Sequence, residues 1–187
     1  MAILESTARR RFTAKEVEQM VAAGILLEDE PVELLEGELI IMSPQSPSHA
    51  VTTERIARLL ERALGDGFHV RRHSPLMARD DSLPEPDVAL CQGSLERFAQ
   101  EHPRGEEVLL VVEIAQTSQA LDRGKAAIYA KAMVPAFWLL DLSAKRLEVR
   151  LGPQADGLYR MSQILGREDE VEVPATGIRL RVASLLP

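Results

Sequence analysis

Glu113 lies in the run VLLVVEIA, residues 108–115, where every other side chain is apolar. A carboxylate in a strand that is apolar on both faces is costly to bury, so it is protonated, paired or bound to a metal. Residues 113 and 115 point to one side of a strand, and position 115 is alanine, which leaves space beside the carboxylate. Downstream, Asp122, Lys125 and Tyr129 fall at i, i+3 and i+7, a single helix face. A lysine there is long enough to place its ammonium in that space, or to carry it along the helix to solvent. Asp87 follows Pro86 at the mouth of DVALC, where proline limits pairing and leaves an aspartate at a strand end, a place that turn chemistry also favours. Together the three describe a hard-cation site beside a proton-handling amine. Oxygen ligands of this kind suit Mg²⁺ or Mn²⁺ with substrate phosphate. The cation polarises a phosphoryl oxygen and acidifies a bound water, while the lysine orients that water or steadies the transition-state charge.

The elements that must position these residues are readable from caps, turns and periodicity. Thr13 and Glu16 have capping-box spacing and Gly24 suits a C-terminal cap, predicting a helix over about 13–23. VELLEGELIIM, residues 32–42, predicts a tight hairpin around Glu36-Gly37. SPQSPSH, residues 43–49, reads as a loop. Val51, Ile56, Leu59, Leu60, Ala63 and Leu64 predict a helix through 49–64. Residues 68–78 read as a bent strand or hairpin arm, 78–86 as turns, 87–91 as a strand and 93–100 as a short helix. Residues 108–114 form a strand covered on both faces. A helix over 118–133, entered through Thr117-Ser118, and a buried strand over 136–142 follow. KRLEVRL, LYRMSQIL, EVEV and IRLRVASLL alternate like the strands of a meander.

This order indicates a mixed α/β fold. No internal repeat, low-complexity segment or long linker interrupts it, so one domain over 1–187 is expected, with its C-terminal strands over about 151–187. At 45% apolar and 27% charged, the composition is that of an ordinary globular chain. One cysteine, Cys91, excludes an internal disulfide framework, and four scattered histidines make a structural zinc site a poor fit. The apolar runs 108–112 and 134–140 are too short to cross a bilayer, and MAILESTARRRF has no apolar core after its charges, so a cytoplasmic protein without a signal peptide is expected. A formal charge of −7 gives no general electrostatic help in binding nucleic acid. Such binding would rest on ARRRF, residues 8–12, and HVRRH, residues 69–73, which also read as solvated surface.

An ordered set of motifs carries a family resemblance. VELLEGELIIMSPQSPSH, PEPDVAL, LLVVEIAQTSQALDRGKAAIYAKAMVPAFWLLD and LEVR, spread over roughly residues 30–150, resemble the Uma2-like group of restriction endonucleases within the PD-(D/E)xK nuclease superfamily. The resemblance implies a restriction-endonuclease-like central mixed sheet flanked by helices, with Asp87 and Glu113 as metal ligands and DNA as substrate. The superfamily's lysine usually lies two residues after the second acid, which here is Ala115. The Uma2-like pattern moves it to the following helix and selects Lys125, in agreement with strand parity. The same pattern brings in His49, Asp122 and Tyr129. Glu36, Glu38 and Glu54 are further candidates to complete the site, although Glu36 is also plain turn chemistry before Gly37.

Three functions compete on this reading. The first is a Mg²⁺- or Mn²⁺-dependent DNA endonuclease, expected as a homodimer or higher homo-oligomer if it makes paired cuts on a duplex. The second is a catalytically silent nuclease-fold module serving as an assembly or regulatory partner, which the acidic charge favours. The third is a metal phosphohydrolase acting on small nucleotides. Cation binding that depends on Asp87 and Glu113 separates the first from the second.

Overall fold

The computed structural model describes residues 9–65 and 67–187. The reading of residues 1–8, including the start of the basic run at Ala8, lies outside them.

Helix α1, Ala14–Ala22, begins at the expected cap: the Glu16 amide donates to the Thr13 hydroxyl, and the Glu16 carboxylate accepts from the Thr13 amide. Strands β1, Val32–Leu35, and β2, Glu38–Ile41, form the expected hairpin. Its turn has Glu36 at φ 49° and Gly37 at φ 84°, the double positive φ that a two-residue I′ hairpin demands. Helix α2, Pro47–Ala63, starts two residues earlier than its apolar periodicity indicates. Ser46 accepts from the His49 amide and Pro47 is pre-set for the first turn, so the end of the expected loop is helix and His49 lies in its first turn.

Six strands make the main sheet: β3, Phe68–Arg72; β4, Val88–Gln92; β5, Val108–Ala115; β6, Ala136–Asp141; β7, Arg146–Pro153; and β8, Tyr159–Leu165. They lie in chain order, and every neighbouring pair is antiparallel except β5–β6. The crossover between that parallel pair contains helix α3, Gln119–Lys131. Segment 93–100 holds a 3₁₀ turn at Leu95–Phe98.

The sheet is covered on both faces, which explains the unbroken apolar runs of β5 and β6. Even-numbered β5 residues Leu110, Val112 and Ile114 pack with Ile56, Ala57 and Leu60 of α2. Odd-numbered Val111 and Ala115 pack with Ala126 and Tyr129 of α3. Glu113 therefore faces α3, as parity requires.

The end of the chain corrects the expected meander. Strands β9, Glu170–Glu172, and β10, Arg179–Arg181, pair only with each other, and Val182–Leu185 is a short helix, α4. Alternation in IRLRVASLL stops at Arg181. Beyond it Val182, Leu185 and Leu186 follow at i, i+3 and i+4, and all three are buried in the α2-side core. No helix among the described residues is long and apolar enough to cross a membrane.

Candidate active site

The carboxyl end of β5, the start of β4 and the first turns of α2 and α3 open onto one cleft of about 670 Å³. Its lining includes Asp87, Glu113, Asp122, Lys125 and His49 from the sequence candidates, and Glu33, His73 and Glu85, which sequence reasoning did not select. Five of these residues are carboxylates, and among the described residues Lys125 is the single lysine and no arginine lines the cleft.

Asp87 sits one residue before β4, and the Ile114 amide donates to its Oδ2 at 2.7 Å. His49 Nε2 approaches the same oxygen at 3.1 Å, so Nε2 is the protonated nitrogen. His73 Nδ1 lies 3.5 Å from Oδ1, the oxygen that no hydrogen bond occupies among the described residues. Burial pushes His49 toward the neutral form, but the hydrogen bond and charge of Asp87 outweigh it and raise its pKa. His73 is shifted down, mainly by burial.

Glu113 is 2% exposed. The Tyr129 hydroxyl donates to its Oε1 at 2.6 Å and Lys125 Nζ lies 3.4 Å from the same oxygen, which leaves Oε2 as the oxygen open to a ligand. Desolvation pushes its pKa up to about 8, with Lys125 drawing it back and Asp87 and Glu33 adding to the rise. Asp122 accepts a 2.5 Å hydrogen bond from the Ser118 hydroxyl, and its pKa is raised by burial. Ser118 thus serves the first turn of α3 by holding Asp122, not by capping a backbone amide.

Lys125 is 2% exposed, and its closest partner is Glu33 Oε1 at 2.9 Å, nearer than Glu113. Burial works against its charge, but Glu113 and Glu33 more than compensate and raise its pKa, so it is a firm ammonium. Glu33 is itself 4% exposed, its pKa is raised by desolvation, and its Oε2 is buried without a hydrogen-bond partner. The signal for Glu33 was present in VELL: a carboxylate inside a short apolar strand, the same anomaly that singles out Glu113. His73 had no separate signal within HVRRH.

The other early candidates lie elsewhere. Glu36 pairs with Lys131 at 2.7 Å on the surface, and Glu38 lies 3.9 Å from Arg9. Glu54 binds Arg58 at 2.6 Å and Arg72 at 3.0 Å. None of the three lines the cleft. Of the four residues considered for completing the site, His49 is the one in it.

Among the described residues, no three His, Cys, Asp or Glu side chains are arranged as a ready cation cage. The donor chemistry nevertheless fits Mg²⁺ or Mn²⁺. Such ions keep several waters and need only one or two carboxylates, here Asp87 and Glu113. An excess of carboxylates and a Glu33 oxygen without a hydrogen-bond partner among the described residues are what a bound cation would offset.

No curated protein matches the chain. Among solved structures, it is similar to one described as a "putative nuclease belonging to DUF820" from Anabaena variabilis ATCC 29413. Identity is 17%, 93% of this chain and 97% of that one are covered, and the TM-score is 0.75, a likeness of fold. Residues 15–183 match the model of the Uma2 family, described as "Putative restriction endonuclease", and with nearly the whole chain covered, this protein belongs to that family.

Proposed function

We propose that this protein is a divalent-cation-dependent endonuclease that hydrolyses phosphodiester bonds of DNA. The observation that carries the reading is the convergence of Asp87, Glu113 and Lys125 on one cleft. Asp87 and Glu113 are the residues that would hold Mg²⁺ or Mn²⁺, through the oxygens not already engaged with Ile114, Tyr129 and Lys125. When bound, the cation polarises the phosphoryl oxygen and lowers the pKa of a coordinated water. The Ile114 amide and His49 fix the plane of the Asp87 carboxylate. Tyr129 fixes that of Glu113. Lys125, held charged, orients the attacking water with one N–H and offsets negative charge developing on the phosphoryl group. Paired cuts on a duplex need two such clefts, so a twofold assembly belongs to this reading.

The test is nicking of supercoiled plasmid with Mg²⁺ or Mn²⁺ and with chelator, together with calorimetric titration of Mn²⁺. Cleavage is expected with the ion and not with chelator, and Asp87→Asn is expected to abolish it while leaving the melting transition cooperative. Failure of Mn²⁺ to bind, or full cleavage by Asp87→Asn, rules the reading out. A silent nuclease-fold module is the second reading, favoured by a cleft without arginine. It has no physical need for a cation site that depends on Asp87 and Glu113.

A further inference from the structure

We infer that Glu33 is the positioning residue of this site: it draws the Lys125 ammonium away from Glu113 and so leaves Glu113 free to take a cation. The inference rests on the proposed endonuclease reading and gives Glu33 the role of holding the lysine, distinct from that of a further cation ligand.

The geometry is a three-group relay across two structural units. Lys125 Nζ is 2.9 Å from Glu33 Oε1 and 3.4 Å from Glu113 Oε1. Only the Glu33 contact has hydrogen-bond geometry. An ammonium buried between two carboxylates settles on the one that accepts its N–H, and the other stays available. If Glu33 lost its charge, Glu113 would be the carboxylate left beside the ammonium, and once ionised it would draw the lysine onto itself. The ion pair formed would occupy the carboxylate that a cation needs, and would withdraw the ammonium from a water in the cleft.

Glu33 is placed firmly enough for that role. In the hairpin it pairs with Ile40, and the next residue, Leu34, is 2% exposed and accepts from the Leu83 amide at 2.7 Å. The Glu36 amide donates to the Ser82 hydroxyl at 2.9 Å. Segment 82–86 then runs directly into Asp87. The hairpin that holds the lysine's anchor is therefore fastened to the chain that presents the cation-binding aspartate. Glu33 lines the cleft, and its Oε2 is buried without a hydrogen-bond partner among the described residues.

The test compares Glu33→Gln, which keeps size and an acceptor but removes the charge, with Glu33→Asp, which keeps the charge on a shorter arm. Mn²⁺ affinity is read by calorimetry and single-turnover cleavage by nicking at saturating Mn²⁺. Glu33→Gln is expected to weaken Mn²⁺ binding and slow cleavage by about tenfold or more each, the scale of losing one partner of a buried charge network. Glu33→Asp is expected to recover part of both. In a Lys125→Met background the same Glu33→Gln change is expected to alter Mn²⁺ affinity by less than about threefold, because its effect passes through the lysine. A purely structural role would lower the melting temperature and leave the affinity and the single-turnover rate of the folded protein unchanged. Wild-type affinity and rate in Glu33→Gln overturn the inference while the endonuclease reading stands. An equal loss of affinity with and without Lys125 overturns it as well, since Glu33 would then act on the cation directly. A wild-type protein that binds no Mn²⁺ overturns both.

Discussion

Lys125 and Lys131 share a helix but have different surroundings, and that difference is testable. Lys125 is enclosed by Glu33 and Glu113, whereas Lys131 pairs at the surface with Glu36, itself half exposed. Lys125→Ala is expected to remove cleavage while Mn²⁺ still binds, since in the proposed mechanism the lysine acts on water and is not a ligand. Lys131→Ala is expected to change the rate less than about threefold, as befits a peripheral ion pair. Nicking assays on the two variants decide this, and an inactive Lys131→Ala with an active Lys125→Ala would reverse the assignment. Glu113 supplies a second prediction. Its pKa is raised from 4.5 to about 8, so between those values the folded protein keeps a proton that the unfolded chain has released. In chelator, stability is therefore expected to fall as pH rises through that window, and Glu113→Gln is expected to flatten the fall. Cation binding needs the ionised carboxylate, so the rise in melting temperature on adding Mn²⁺ should grow from about pH 6 to about pH 8. A Mn²⁺ shift that is independent of pH would remove Glu113 from the cation site.

The β1–β2 hairpin supports Glu33 and lines the cleft with Val32 and Ile41 as well, and its turn can be perturbed away from the cleft. Gly37 adopts φ 84°, and a Cβ there would lie 2.6 Å from the Arg11 Cβ. Arg11 also donates to the Glu36 carbonyl and the Phe12 amide to that of Gly37, so the approach is close and fixed. Gly37→Ala is expected to cost about 1–2 kcal/mol from the positive φ and the collision together. Gly24 has a similar φ of 69° with no atom near its missing Cβ, so Gly24→Ala carries the backbone strain alone and should cost less. Urea unfolding of the two variants makes the comparison, and equal costs would show that the contact with Arg11 yields freely. Because Gly24 lies outside the hairpin, Gly37→Ala alone should also lower Mn²⁺ affinity.

At the scale of the molecule, charge is arranged against strong backbone binding. Two arginines of the basic runs are held by carboxylates of the chain itself. Arg10 pairs with Glu16, and Arg72 with both Glu54 and Glu61. With a net charge of −7 and no arginine in the cleft, DNA affinity should rest on few phosphate contacts. The slope of log affinity against log salt is expected to correspond to about 3–5 neutralised phosphates. Binding measured over a range of salt checks this, and a steep slope would mean that these arginines leave their carboxylates when DNA arrives.

What the sequence determined by itself was local or periodic. The Thr13 cap, the Glu36-Gly37 turn and the α3 face of Asp122, Lys125 and Tyr129 depend on neighbours within a turn or two, and each has the form expected of it. Strand parity was equally informative: it put Glu113 and Ala115 on one face, which in the fold is the face covered by α3 and Lys125. A strand-end aspartate at position 87 was legible for the same reason. Tertiary structure decided which distant segments meet. Glu33 and Lys125 are 92 residues apart, and although VELL marks Glu33 as an anomaly, no local rule names Lys125 as its partner. That meeting is made by the assembled fold, which sets Glu33 against the buried Lys125 and Glu36 against Lys131 at the surface. The end of the chain was decided the same way, since Val182 and Leu185 are helical, and Leu186 follows the helix, where all three can bury in the α2-side core. A short segment's alternation is weak evidence against burial on a surface that only the assembled fold provides.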